Sequence, residues 1–106
     1  MIPEMSPSEF ARRRDAGEPL LLLDVREPYE LEIASVPGVL HIPMAQVPAR
    51  LDEIDRGREV VVLCRSGGRS LRVAMFLKQQ GYERVANLSG GILRWGEELD
   101  PSLAAY

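Results

Sequence analysis

The run Glu59–Leu63 constrains this chain more than any other segment. Its three consecutive valines, Val60 to Val62, lose side-chain freedom in a helix and fit an extended backbone. The run is too short for an independent helix. It shows no alternation of apolar and polar residues, so it reads as a strand covered on both faces, the pattern of a parallel sheet. It ends on Cys64, and the polar loop Arg65, Ser66, Gly67, Gly68, Arg69, Ser70 follows. After the loop, Leu71–Gln80 has a helical composition, with Val73, Phe76 and Leu77 on one face and Gly81 as its stop.

The rest of the chain repeats this alternation. Ser6, Pro7 and Glu9 make a capping box, with Met5 and Phe10 at the positions of a hydrophobic staple, for a helix running to about Ala16 and stopping at Gly17. Leu20–Val25 reads as a second buried strand, broken only by Asp24, and Pro28–Ile33 as a short helix. Val39–Ile42 reads as a short strand ending at Pro43, and Val47, Leu51 and Ile54 recur at helical spacing. Arg84–Leu88 is a further strand, and Ile92, Trp95 and Leu99 mark a last helix closing before Pro101, with Trp95 in the core. The expectation is an α/β fold, an open and mostly parallel sheet with helices on both faces. Ligands bind such sheets outside the carboxyl ends of the strands, which is where Cys64 falls.

A chain of 106 residues predicts a single domain spanning 1–106, with any ligand site on the surface of one core. The net charge of −3 disfavours nucleic-acid binding through an overall basic surface, and Arg12, Arg13 and Arg14, with no aromatic residues among them, read as a solvated helix face. No apolar stretch approaches a membrane span, and the opening MIPEMSPSEF lacks a signal-peptide pattern, so the expected compartment is the cytoplasm and no membrane partner is expected. One cysteine and one histidine make neither an intramolecular disulfide nor a four-ligand zinc site. Neither a metal nor a cofactor is expected, so Cys64 must act through its own reactivity.

The loop supplies the means. Two adjacent glycines let successive N–H groups turn into one concavity, an anion nest reinforced by the positive end of the following helix. Converging amides, that helix end and two arginines all favour a thiolate over a thiol. An inert core cysteine would not be followed at once by Arg, Ser, Gly, Gly, Arg. The loop matches neither nucleotide-phosphate pattern: it lacks the lysine of Gly-x-x-x-x-Gly-Lys-Ser/Thr and the spacing of Gly-x-Gly-x-x-Gly.

Four segments, LLDVREPYE, VPGVLHIP, CRSGGRS and LSGGILRW, resemble the landmarks of the rhodanese family in their usual order. The resemblance implies a five-stranded parallel sheet flanked by helices. It also implies that Cys64 is a catalytic cysteine which accepts sulfane sulfur as a persulfide from thiosulfate or another small-molecule donor and passes it to a thiol or cyanide. Arg65, Ser66, Gly67, Gly68, Arg69 and Ser70 would bind the persulfide and donor, with Arg69, joined by Arg65, on the sulfonate. Asp24 and Arg26 match a family pair that supports the loop or sheet end, or is simply a structural ion pair. His41 matches a common family position and reads as structural, since an ionised thiolate needs no histidine base.

Three other readings compete. Cysteine phosphatases and arsenate reductases resemble this loop but place five residues between cysteine and arginine, where here four separate Cys64 from Arg69. A noncatalytic binding module is disfavoured because the cysteine, both glycines and Arg69 are present. The opening IPEMSP and the tail WGEELDPSLAAY are similar to the rhodanese-like C-terminal domain of adenylyltransferases in molybdopterin and thiamine biosynthesis. That likeness points to a sulfur-relay role with a protein partner, in cofactor or tRNA sulfuration.

Overall fold

Alternate residues of the two central strands feed two separate cores. The computed structural model describes residues 1–103, so the end of the tail, 104–106, lies outside the described residues. The elements run β1 (Glu4–Met5), α1 (Pro7–Asp15), β2 (Leu20–Asp24), α2 (Pro28–Ile33) and β3 (Leu40–His41). Two 3-10 turns (Met44–Gln46 and Pro48–Glu53) follow, then β4 (Glu59–Leu63), α3 (Gly68–Gln79), β5 (Val85–Leu88) and α4 (Gly91–Glu98). The strands form one sheet in the order β1-β5-β4-β2-β3, every pair parallel.

β2 and β4 lie side by side with Leu21 opposite Val60 and Leu23 opposite Val62. On one face Leu21, Leu23, Val60 and Val62 pack with Val73, Ala74 and Leu77 of α3. On the other, Leu20, Leu22, Val61 and Leu63 pack with Phe10 of α1 and with Ile92 and Trp95 of α4. Both faces of these strands are therefore dry, which explains their unbroken apolar sequence. The Phe10 and Trp95 rings lie 5.7 Å apart and join α1 to α4.

Ser6 caps α1 as expected, its Oγ accepting from the Glu9 N–H at 3.1 Å. Two expectations need correction, and one strand was not foreseen. The segment holding Val47, Leu51 and Ile54 forms 3-10 turns with a non-helical Arg50, because Pro43 and Pro48 interrupt any longer helix. Arg13 is not a solvated residue: it pairs with Glu59 at 2.6 Å and Glu18 at 2.8 Å, tying α1 to the start of β4. The strand Glu4–Met5 carries no pattern long enough to read, and it supplies the fifth strand by pairing with Asn87 and Leu88 of β5. No helix of the described residues is long and apolar enough to cross a membrane.

Candidate active site

β4 is the middle strand of the sheet, and its last residue delivers the chain to Cys64 at the carboxyl edge. The backbone then turns through Gly67, whose φ of +113° is open to glycine at little cost, and enters α3 at Gly68. This brings the loop back over the sulfur. Sγ accepts hydrogen bonds from the Gly67 N–H at 3.1 Å and from the Ser70 hydroxyl at 3.2 Å. Cys64 is only 1% exposed, so the sulfur lies at the floor of the loop. Burial pushes its thiol pKa up, but the Ser70 hydroxyl and the N–H groups of Ser70, Gly67 and Ser66 together outweigh burial and hold it below the ordinary value. The N–H groups of Gly67 and Ser70 belong to the cap and first turn of α3 and have no partners within that helix.

The carbonyl side of the same loop is held by α4. The N–H of Ile92 donates to the Cys64 carbonyl at 2.9 Å and that of Leu93 to the Arg65 carbonyl at 3.2 Å. Gly91, at φ +61°, makes the approach possible: a Cβ there would stand 2.4 Å from the Arg65 carbonyl oxygen and 2.5 Å from that of Cys64. The segment LSGG therefore acts as the seat of the loop that begins at Cys64, a role its sequence pattern alone does not disclose.

Arg69 leaves the first turn of α3 and makes a two-point ion pair with Glu30, Nη1 to Oε1 at 2.7 Å and Nη2 to Oε2 at 2.9 Å. Glu30 is buried in α2, and its Oε1 also accepts from the Glu27 N–H at 2.9 Å. Behind it, Arg26 and Asp24 form a fully buried pair, Nη2 to Oδ2 at 2.9 Å. Arg26 also donates to the carbonyls of Glu30 at 3.4 Å and Ala34 at 2.9 Å, so it closes the carboxyl end of α2. Asp24, Arg26, Glu30 and Arg69 thus form one connected path from the end of β2 to the loop. His41 sits on the far side of the pair, its Nε2–H donating to the Arg26 carbonyl at 2.7 Å.

Cys64, Gly67 and Ser70 are thus drawn together around the sulfur, with Ser66 contributing its amide. Arg69 stands on the rim, its side chain 32% exposed. Asp24 and Arg26 contact the site through α2. Sequence reasoning missed Glu30, Gly91 and Asn87. Of these only Asn87 left a signal, as an amide inside the otherwise apolar strand run Val85–Leu88.

Residues 6–98 match the family model of the rhodanese-like domain. A sulfurtransferase of Allochromatium vinosum is 40% identical over 104 residues, covering 98% of this chain and 97% of that protein. A Zea mays adenylyltransferase and sulfurtransferase is 35% identical over 105 residues, covering 92% of this chain and 22% of that protein. The crystal structure of a rhodanese-like domain protein from Staphylococcus aureus has a TM-score of 0.85 at 25% identity, covering 99% of each chain. The chain belongs to the rhodanese-like domain family. The family and fold expected from the four motifs are those found, with a sheet that is parallel throughout.

Proposed function

We propose that this chain is a sulfurtransferase, acting as one unit over residues 1–106, in which Cys64 carries sulfane sulfur as a persulfide. The observation that carries the reading is the convergence of the Gly67 N–H and the Ser70 hydroxyl on Sγ at the end of β4. In the first half-reaction the Cys64 thiolate attacks the outer sulfur of a donor. The donor's S–S bond breaks, the electron pair leaves with sulfite from thiosulfate or with the thiolate of a persulfide donor, and Cys64 retains the sulfur as an anionic persulfide. In the second, a thiol acceptor as its thiolate, or cyanide, attacks the outer sulfur and the Cys64 thiolate is regenerated. The loop amides stabilise the anion at both ends of the cycle.

The chain contains one cysteine, so nothing within it can resolve the persulfide. The acceptor must come from outside, as a small thiol, as cyanide, or as the next protein of a sulfur relay. A free nucleophilic cysteine suits a reducing compartment, which supports the cytoplasm as its place of action. Arg69 uses two of its five N–H groups on Glu30, leaving the others to approach a donor sulfonate.

Intact mass spectrometry after thiosulfate treatment tests this reading. The expected result is an addition of about 32 Da, removed by cyanide or a reducing thiol and missing from Cys64→Ser. Sulfur transfer retained by a folded Cys64→Ser protein would overturn it.

A further inference from the structure

Behind Cys64 a polar chain continues from the Ser70 hydroxyl to Asn87, a residue that the transfer chemistry above does not use. Asn87, on β5, is 2% exposed. Its Nδ2 donates to Glu4 Oε2 at 3.0 Å and to the Gly67 carbonyl at 3.2 Å. Both partners are acceptors, which fixes the orientation of the amide and turns Oδ1 toward the Ser70 hydroxyl, 2.5 Å away. That hydroxyl also stands 3.2 Å from the Cys64 sulfur.

A serine hydroxyl has one proton to give and here has two takers. With Cys64 as a thiol there is no conflict: the S–H donates to Ser70 Oγ and Ser70 donates to Asn87 Oδ1. With Cys64 as a thiolate, the sulfur anion and the amide oxygen compete for the same proton. Turning it to the sulfur takes the Ser70 donor from a buried amide oxygen, which carries a free-energy cost. In a persulfide the negative charge has moved one atom outward, Sγ is an uncharged bridging sulfur, and Ser70 can again donate to Asn87.

We propose that Asn87 is a positioning residue that acts through the Ser70 hydroxyl to disfavour charge on Sγ, and so shifts Cys64 from the empty thiolate toward the loaded persulfide. The idea rests on the persulfide reading above. The charged and titratable groups around the site are Arg65 in the loop, Arg69 of α3, Tyr29 and Glu30 of α2, Glu4 of β1 and the Asp24–Arg26 pair at the end of β2. All of these keep their identity in the variants below.

Asn87→Leu removes the acceptor while keeping the branched shape of the side chain. Two readouts apply: the pH midpoint of Cys64 alkylation, and the persulfide fraction by intact mass at a fixed ratio of thiosulfate to sulfite. The alkylation midpoint is expected to move to lower pH, by the equivalent of about a fivefold change in ionisation constant, the worth of one hydrogen bond. The persulfide fraction is expected to fall. Loss of the Nδ2 bond to Gly67 loosens the loop whether or not Ser70 is present, so each measurement is repeated in a Ser70→Ala background, where only that loosening remains and Asn87→Leu should shift both readouts by clearly less. An unchanged or raised midpoint, or equal shifts in both backgrounds, would overturn the proposal. If Asn87→Leu does not fold, Asn87→Ala makes the same comparison. Alkylation needs only the thiol, so a natural protein that never forms the adduct would defeat the persulfide reading and leave the alkylation result to judge the link between Asn87 and Cys64.

Discussion

Arg69 and Glu30 meet at two points, 2.7 and 2.9 Å apart, so the first turn of α3 is fastened to α2 before any substrate arrives. The hydrogen bonds from Arg69 hold the Glu30 carboxyl below the usual carboxylate range, against the upward push of burial. A carboxylate with a depressed pKa in the folded state stabilises the fold fully above its unfolded value, about 4.3, and loses that contribution as pH falls through the lower folded value. Glu30→Gln should therefore cost about 1–2 kcal/mol at neutral pH, limited by the partial exposure of Arg69, and nothing at a pH below both values. Urea titrations at neutral and acid pH measure the difference. The same substitution frees the guanidinium for an anionic donor, so KM for thiosulfate should fall; a raised KM would mean that Glu30 serves the donor site by holding Arg69 in place.

Ser70 gives a second expectation. Burial raises the Cys64 pKa, while the Ser70 hydroxyl and the N–H groups of Ser70, Gly67 and Ser66 lower it with the larger combined effect. Alkylation by a neutral reagent should accordingly titrate below the value of a free thiol, about 8.5. Ser70→Ala should move the midpoint up and Ser70→Thr, which keeps a hydroxyl, should largely restore it. A midpoint indifferent to Ser70→Ala would show that the backbone amides alone hold the anion.

The elements with long apolar runs or recognisable caps were legible in the sequence. Glu59–Leu63 and Pro28–Ile33 have the expected bounds, and α1 begins at the expected Pro7. The expected helix from Leu71 begins three residues earlier, at Gly68, because the loop itself supplies the first turn. What could not be read is what depends on partners distant in the chain. Glu30 and Arg69 lie 39 residues apart and share no periodic pattern. The two-residue strand Glu4–Met5 exists because β5 offers it a free edge, with the Asn87 N–H donating to the Pro3 carbonyl and the Ser89 N–H to that of Met5. The arginine run misled for the same reason, since the partners of Arg13 are Glu18 and Glu59, on other segments.

Gly91 gives the sharpest separation of backbone conformation from contact. A Cβ at Gly91 would meet the Arg65 and Cys64 carbonyl oxygens at 2.4 and 2.5 Å, while one at Gly38, also at positive φ, would meet nothing within 4 Å. Gly38→Ala should therefore cost only the conformational penalty of about 1–2 kcal/mol and leave sulfur transfer unchanged. Gly91→Ala carries a similar penalty and must also push the backbone of Cys64 and Arg65 away from α4, breaking the bonds from the N–H groups of Ile92 and Leu93. Its stability loss should exceed that of Gly38→Ala by at least about 1 kcal/mol. Because the displaced backbone carries Cys64, the proposed nucleophile, kcat should fall by more than about tenfold even under conditions where the variant is fully folded. Urea denaturation of both variants, with steady-state kinetics below the unfolding transition, makes the comparison. Equal stability losses, or a folded Gly91→Ala protein with unchanged kcat, would show that the loop does not depend on its seat against α4.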